Sequence, residues 1–219
     1  MRDVQTEGGA ALAARLTPTY APAHRSARVR GLRWLIAGVA VVGVAADQTT
    51  KALALGLLDP SRPVPLLGGL ASLWLTTNSG AAFSMGEGFT LGLTIIAILA
   101  FVGVVVWLAP RVRHTGWAVG TGLLLAGILG NLADRLMRPP SPFFGHVVDF
   151  IQVPYFAIFN VADMCITAAA VLIVFLLVIA QVMPSGVRAK ESAAKDAPAS
   201  PPKGDVPGDR PDGGDGSSA

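Results

Sequence analysis

The chain has 219 residues, of which 52% are hydrophobic and 14% are charged, and its mean hydropathy is +0.56. This composition is too apolar for one ordinary soluble domain. The net charge of +3 raises the question of nucleic-acid binding, but Arg25, Arg28, Arg30 and Arg33 stand directly before an apolar run. That position is typical of a membrane anchor, so we expect no nucleic-acid partner. The only cysteine, Cys165, excludes an intramolecular disulfide.

The apolar residues divide the chain into three parts. Residues 1–30 are mostly polar and predict a disordered cytoplasmic tail, and residues 186–219, rich in Pro, Gly, Asp and Ser, predict a second one. Residues 31–185 predict a transmembrane domain of four helices, because four segments approach the length of about 20 apolar residues that crosses a bilayer. These segments run from Trp34 to about Leu55, from Leu91 to Leu108, from Trp117 to Leu136 and from Ala162 to Val182.

The first segment has a second interpretation. Its arginines, its apolar stretch and Val44-Ala45-Ala46 also resemble a secretory signal peptide with a cleavage site. Residues 51–55 continue the helical character beyond that site, and three further spans follow. We therefore interpret the segment as a permanent anchor.

The positions of Lys and Arg predict the orientation in the membrane. Cations cluster before the first span, at Arg111 and Arg113 between the second and third, and at Arg188 and Lys190 after the fourth. We expect these three regions on the cytoplasmic side, which places the other two loops, 57–90 and 137–160, outside.

The first of these outer loops contains the residues for a small sheet. Residues 70–77 are mostly β-favouring, and Asn78-Ser79-Gly80 reads as a turn. The predicted fold is therefore an all-α integral membrane protein with four transmembrane helices and a small β-rich extracytoplasmic loop domain between helices 1 and 2.

Four aspartates lie in or beside the predicted spans, where a charged side chain costs about 2.5–3.5 kcal/mol and is a functional candidate by default. Asp47 has Lys51 four residues later, which favours a structural ion pair. Asp134 stands beside Arg135 and three residues after Asn131, so we interpret it as scaffold too.

Asp149 and Asp163 differ, because neither has a basic residue nearby in the sequence and both are embedded in apolar residues. If the two approach each other, they cannot both ionise readily, so one holds a proton while the other acts as a base. Such a pair can activate water for peptide hydrolysis, and Asn160, one turn before Asp163, could orient it. The alternative is two unrelated polar residues at a membrane interface.

Other chemistries fit the residues less well. His24, His114 and His146 are far apart and form no zinc-binding motif, so no metal is expected. A serine peptidase would need Ser79 or Ser84 near Lys51, without the usual Gly-x-Ser-x-Gly context. The main alternative is a small transporter that uses carboxylates as ion sites. Such transporters are typically built from repeated halves with interrupted helices, which these spans do not show.

Five sequence blocks together resemble the bacterial lipoprotein signal peptidases (signal peptidase II), over about residues 31–184. In chain order they are Asp47-Gln48-Thr49-Thr50-Lys51, Asn78-Ser79-Gly80-Ala81-Ala82-Phe83, Gly130-Asn131-Leu132-Ala133-Asp134-Arg135, Val147-Val148-Asp149-Phe150 and Phe159-Asn160-Val161-Ala162-Asp163.

This resemblance implies an intramembrane aspartic endopeptidase, without a cofactor, that removes the signal peptides of prolipoproteins just before a diacylglyceryl-modified cysteine. It implies a multi-pass protein of the bacterial inner membrane, in contact with lipid, with both termini cytoplasmic and the active site near the outer face. The catalytic aspartates would be Asp149 and Asp163. The residues that support the site or contact substrate would be Asp47, Lys51, Asn78, Gly80, Asn131, Asp134, Arg135 and Asn160.

The resemblance also implies that the first outer loop matches the family's β-cradle. One stretch departs from the pattern, since residues 137–145, with Pro139, Pro140 and Pro142, are longer than expected. This difference concerns the shape of the entrance to the site.

Overall fold

The computed structural model describes residues 22–80 and 89–187. Within these residues, four helices are long and apolar enough to cross a membrane. They are α1 (Pro22–Leu57), α2 (Phe89–Gly103), α3 (Thr115–Met137) and α4 (Val161–Val174). A π-helical turn continues α2 over Val104–Leu108, and another continues α4 over Phe175–Ile179. The four predicted spans are confirmed.

Helix α1 is longer than the apolar run that predicted it. It begins at Pro22 and continues without interruption through Val44-Ala45-Ala46 to Leu57, which supports the permanent anchor over the cleaved signal peptide. Residues 22–30, which were predicted to belong to a disordered tail, are therefore part of α1. The rest of that tail, and the C-terminal tail from residue 188, lie outside the described residues.

Helix α3 lies between α1 and α4 and carries most of the buried residues of the bundle. Glycines permit this close packing, as small residues do in many membrane helix pairs. A Cβ atom on Gly130 would lie 2.6 Å from Asp47 Oδ2 and 2.9 Å from Ala162 Cβ. One on Gly127 would lie 2.5 Å from the Ala162 carbonyl oxygen. The seam thus brings α1, α3 and α4 together where the aspartates lie.

The outer surfaces of the helices are apolar. Val41, Leu99, Val106 and Val171 are each at least 65% exposed, as expected for side chains that contact lipid. Buried apolar side chains instead fill the end of the bundle remote from the aspartates. This cluster contains Leu32, Ile36, Ala40, Val112, Trp117, Ala118, Leu125 and Leu176.

The other end of the bundle carries a three-stranded antiparallel sheet in the order β1-β2-β3, and we call this the sheet end. Strands β1 (Val64–Leu66) and β2 (Ala71–Asn78) come from the connection between α1 and α2, as predicted. Strand β3 (Val147–Gln152) comes from the connection between α3 and α4. The sequence analysis treated that connection as a loop and confined the sheet to the first connection, which was wrong.

Strand β3 places Asp149 at the site. Its neighbours Val148 and Phe150 are buried with Ala54 and Leu75 in a small core between α1 and the sheet. Because side chains alternate along a strand, Asp149 points to the opposite face. The register pairs Asp149 with Thr76 and brings the end of β2 beside it.

Candidate active site

Asp149 is buried and receives two amide hydrogen bonds. Asn160 Nδ2 donates to Asp149 Oδ1 at 2.6 Å, and Asn78 Nδ2 donates to Oδ2 at 3.1 Å. Asn78 is the last residue of β2, and its own Oδ1 accepts a bond from the Gly80 amide at 2.8 Å. The two connections of the sheet end therefore meet at this carboxyl group.

Asp163 occupies the first turn of α4 and is half-buried. Its carboxylate also accepts two N–H bonds, from Asn131 Nδ2 to Oδ1 at 2.8 Å and from the Asn160 backbone to Oδ2 at 3.1 Å. In return, Asn160 Oδ1 accepts the Asp163 amide at 3.0 Å, so that the two residues form a capping box. The helix start itself fixes the position of Asp163.

Asn160 connects the two carboxyl groups, because its side chain donates to Asp149 while its backbone donates to Asp163. The sequence analysis expected Asn160 to orient Asp163, and the geometry agrees. The link to Asp149 was not foreseen. Asn160 is fully buried, so this bridge is shielded from water.

Lys51 fixes the orientation of these amides. Its Nζ donates to Asn131 Oδ1 at 3.1 Å, and Asn160 Nδ2 donates to the same oxygen at 3.1 Å. Because an ammonium group has no acceptor, Asn131 must turn its oxygen towards Lys51 and its NH₂ towards Asp163. Oriented in this way, the Asn131 amide donates to Asp163 and the Asn160 amide donates to Asp149.

Lys51 also lies between Asp47 and Asp134, at 2.9 Å and 2.8 Å, and all three side chains are fully buried. The predicted Asp47–Lys51 pair is confirmed. With Asn131, Lys51 Nζ has three acceptors for three protons, so it is not available as the general base of a serine peptidase. Ser84, one of the two serines considered for that role, lies outside the described residues.

The predicted pairing of Asp134 with Arg135 and Asn131 was wrong. Asp134 Oδ1 accepts from Arg138 Nε at 2.6 Å, and Oδ2 accepts from Lys51 and from the Val148 amide at 3.1 Å. Adjacent residues of a helix point in different directions, so Asp134 and Arg135 do not face each other. Arg135 makes no direct bond to Asp134, but it lies near enough to Asp149, Asp163 and Asp134 to interact with all three electrostatically.

Several residues at the site were missed by the sequence analysis. Arg138 was missed as the second cation of Asp134, and a spacing of i to i+4 was the available signal. Gln48 Nε2 donates to the Gly130 carbonyl at 3.0 Å and lies 3.0 Å from Asp47 Oδ2. The Ala162 amide donates to Asp47 Oδ1 at 2.8 Å. These backbone contacts depend on tertiary packing and leave no pattern in the sequence.

The surroundings of Asp149 favour its protonated form. Burial raises the pKa of Asp149 to about 6, although its bonds to Asn160 and Asn78 oppose the rise; the Asp163 carboxylate adds to it and Lys51 opposes it. A carboxyl group with this pKa can hold or release a proton near neutral pH. Asp149 and a half-buried neighbour, Asp163, together have the groups needed to activate water.

Comparison with known proteins identifies the family. Residues 39–179 match the family model described as signal peptidase (SPase) II. The chain belongs to the signal peptidase II family. It is 45% identical over 159 residues to the lipoprotein signal peptidase of Mycobacterium avium, covering 73% of this chain and 86% of that protein. The corresponding protein of Rhodococcus jostii is 46% identical over 159 residues, covering 73% and 78% of the two chains.

The fold also resembles a solved structure. A bacterial membrane enzyme, determined by the in meso method at 1.9 Å resolution, superposes with a TM-score of 0.59 and 28% identity. The match covers 66% of this chain and 92% of that one.

The family model and the named relatives together show what the chain does. It is a membrane-spanning aspartic peptidase that removes signal peptides from lipoproteins, as its resemblance implied. This family membership favours the peptidase over the transporter.

Proposed function

We propose that Asp149 and Asp163 are the catalytic pair of this signal peptidase. The observation that supports this choice is the Asn160 bridge, which holds both carboxyl groups with uncharged donors. Asp47 and Asp134 are each bonded directly to a cation instead. Among the buried or half-buried aspartates of residues 22–80 and 89–187, Asp149 and Asp163 are the two held by amide donors alone, which favours them for acid–base work.

In the proposed mechanism the pair shares one proton, and burial favours placing it on Asp149. Asp163, which is more open, takes a proton from a water molecule as that water attacks the scissile carbonyl carbon. Asp149 donates its proton to the developing oxyanion. Collapse of the tetrahedral intermediate breaks the C–N bond: the proton held by Asp163 passes to the leaving amine, and a hydroxyl proton of the intermediate returns to Asp149 as the new carboxyl group forms.

We further propose that the substrate is a prolipoprotein carrying a diacylglyceryl cysteine, cut just before that cysteine. The relatives are named lipoprotein signal peptidases, which supports a lipoprotein substrate. The apolar outer faces of the helices would allow a signal-peptide helix and its lipid to approach sideways through the bilayer. The aspartates lie at the sheet end, where such a substrate would meet the interface.

For the topology, we propose that residues 31–185 form the peptidase domain, that both tails are cytoplasmic, and that the sheet end faces outward in a bacterial inner membrane. Arg111 and Arg113 lie between α2 and α3, at the opposite end from the sheet, as the positive-inside rule requires of a cytoplasmic loop. A reporter that is active only outside the cytoplasm should work when fused after Ser141 and fail after Arg113. Activity of the same reporter at the C-terminus would contradict the four-span topology.

The catalytic assignment can be tested with Asp149→Asn and Asp163→Asn in purified full-length protein. Each change keeps the shape of the side chain but prevents it from exchanging the proton, so we expect cleavage of a diacylated prolipoprotein to fall by at least about 10³-fold. Asp59→Asn is the matched control, because Asp59 is exposed in the connection before β1. It should cleave at the wild-type rate.

Cleavage should be normalised to folded protein, measured by size-exclusion chromatography in detergent. Substantial turnover by either site variant would show that the pair is wrongly assigned. Full activity in the presence of a strong chelator is also expected, because the proposed mechanism uses carboxyl groups and water alone. Loss of activity that added zinc restores would contradict the aspartic mechanism.

A further inference from the structure

A buried threonine at the start of α2 contacts the chain that leads to the site. Thr90 is 2% exposed, and its Oγ1 donates to the Ser79 carbonyl oxygen at 2.6 Å. Threonine hydroxyls within helices usually bond to a carbonyl of their own helix. Thr90 is in the first turn and instead reaches a residue just beyond the end of β2. This side-chain bond joins the start of α2 to the turn that follows β2.

Ser79 lies in the middle of a turn that carries a donor to Asp149. Asn78 accepts the Gly80 amide through Oδ1 and donates through Nδ2 to Asp149 Oδ2. Gly80 has φ of 95°, a conformation that favours glycine. A Cβ atom there would clash with Leu93 Cδ1, so the turn also packs closely against α2. Helix α2 therefore holds this turn by packing and by the Thr90 hydrogen bond.

We propose that Thr90 is a positioning residue of the peptidase, whose bond to the Ser79 carbonyl holds the Asn78–Gly80 turn so that Asn78 donates to Asp149. The proposal rests on the assignment of Asp149 as catalytic. Thr90 belongs to none of the five sequence blocks that characterise the family resemblance. Its role follows from the chain of bonds Thr90–Ser79 and Asn78–Asp149.

This arrangement should influence the pH dependence of cleavage. The Asn78 amide stabilises the ionised form of Asp149 and lowers its pKa, against the larger effect of burial. The charged groups that face Asp149 are Asp163 from α4, Lys51 from α1 and Arg135 from α3. None of them contacts Thr90, so its loss should act through Asn78 alone and raise the pKa of Asp149.

The test compares Thr90→Val, Thr90→Ser and Thr94→Val in full-length protein. Valine keeps the shape of threonine but lacks the hydroxyl donor, and serine retains it. Thr94 is a matched control, since it is buried one turn later on α2 and its Oγ1 lies 2.9 Å from the Thr90 carbonyl oxygen of its own helix and 2.8 Å from the Phe143 carbonyl oxygen, with neither bond reaching the Asn78–Gly80 turn. Thr90→Ala removes the same donor without placing a methyl group against the Ser79 carbonyl, and replaces Thr90→Val if that variant does not fold.

For Thr90→Val we expect kcat/KM to fall about tenfold, as for loss of one hydrogen bond to a charged group. The alkaline limb of its pH profile, where Asp149 loses the proton that it donates, should move upward by as much as about one pH unit. Thr90→Ser should restore both, and Thr94→Val should keep the wild-type pH profile whatever its thermal stability. An unchanged profile for Thr90→Val, or the same shift for Thr94→Val, would overturn the proposal.

The Asp149→Asn variant separates the two hypotheses. If it retains activity, the catalytic assignment fails, and the role of Thr90 fails with it. If it is inactive while Thr90→Val keeps the wild-type pH profile, only the positioning role is wrong.

Discussion

The sheet end contains two pairs of aspartates in very different surroundings. Asp47 and Asp134 share Lys51, and Asp134 also bonds to Arg138; we call these four residues the ion cluster. In the part of the chain that the structure describes, Asp149 and Asp163 receive only amide donors within hydrogen-bond distance, from Asn78, Asn131 and Asn160. The same side chain is thus bonded to cations in one place and held by uncharged amides in the other.

The two pairs are connected through Asn131. Its oxygen accepts from Lys51 of the ion cluster, and its nitrogen donates to Asp163. The ion cluster also accepts the Val148 amide, next to Asp149, and the Ala162 amide, next to Asp163. The two carboxylates of the cluster, Asp134 and Asp47, therefore each support the segment that carries one of the proposed catalytic aspartates. Catalysis requires precisely oriented groups, and a rigid ion cluster next to Asp149 and Asp163 would supply that orientation.

The largest difference between the pairs should appear in stability when Lys51 is replaced. Lys51→Met leaves Asp47 without its cation and Asp134 with only Arg138, and we expect the free energy of unfolding to fall by about 3–5 kcal/mol. Asp149→Asn should cause no such loss, because it removes a buried carboxyl group that has no directly bonded cation. Thermal unfolding in detergent, followed by circular dichroism, compares the two.

A matched control is Arg62→Met, which breaks an exposed contact between Arg62 Nε and Asp59 Oδ2 at 4.0 Å. We expect no measurable change in its unfolding temperature, since exposed ion pairs contribute little. Wild-type stability of Lys51→Met would show that the ion cluster is not the scaffold described above.

The second difference concerns the pH dependence of stability. Burial raises the folded-state pKa of Asp149 to about 6, above its ordinary value of 3.8. Relative to Asp149→Asn, the wild type should be fully stable below about pH 4 and should lose stability as the pH rises through 6. The loss should reach about 3 kcal/mol at most. Unfolding of both proteins at several values between pH 4 and 8 measures it, and parallel curves would contradict a raised pKa at Asp149.

The sequence was sufficient to predict the helices and the identity of the polar residues at the site. The four spans are long apolar runs, and their signal does not depend on tertiary contacts. Asp149 and Asp163 were distinguished by the lack of cations nearby in sequence. In the structure, Lys51 and Arg135 approach them from other helices without bonding to either carboxyl group. The expected lack of cations therefore holds for direct bonds to Asp149 and Asp163 but not for their wider surroundings.

What the sequence could not predict arises from packing between elements. Strand β3 was missed because residues 147–152 are few and lie within a connection, although four of the six favour strands. The partner of Asp134 was misassigned because proximity in sequence was taken as proximity in space. Helical spacing would have favoured Arg138. Predicting that Asn160 bonds to both carboxyl groups would have required knowing how β3 lies beside the start of α4.

The smallest of these effects is expected for Arg138→Gln. This variant tests how much each of the two cations, Lys51 and Arg138, contributes to the stability of the ion cluster. Arg138 is 24% exposed and contacts Asp134 through Oδ1, whereas the buried Lys51 contacts Oδ2. Without Arg138, Asp134 keeps Lys51 and the Val148 amide, and glutamine can still donate a hydrogen bond. We expect a loss of about 1 kcal/mol in the free energy of unfolding, well below that of Lys51→Met, with cleavage per folded molecule unchanged. The double variant Lys51→Met/Arg138→Gln should lose more than the sum of the two, because Asp134 would then be buried without any cation. Strict additivity would mean that the two cations stabilise separate parts of the bundle and that Asp134 does not join them.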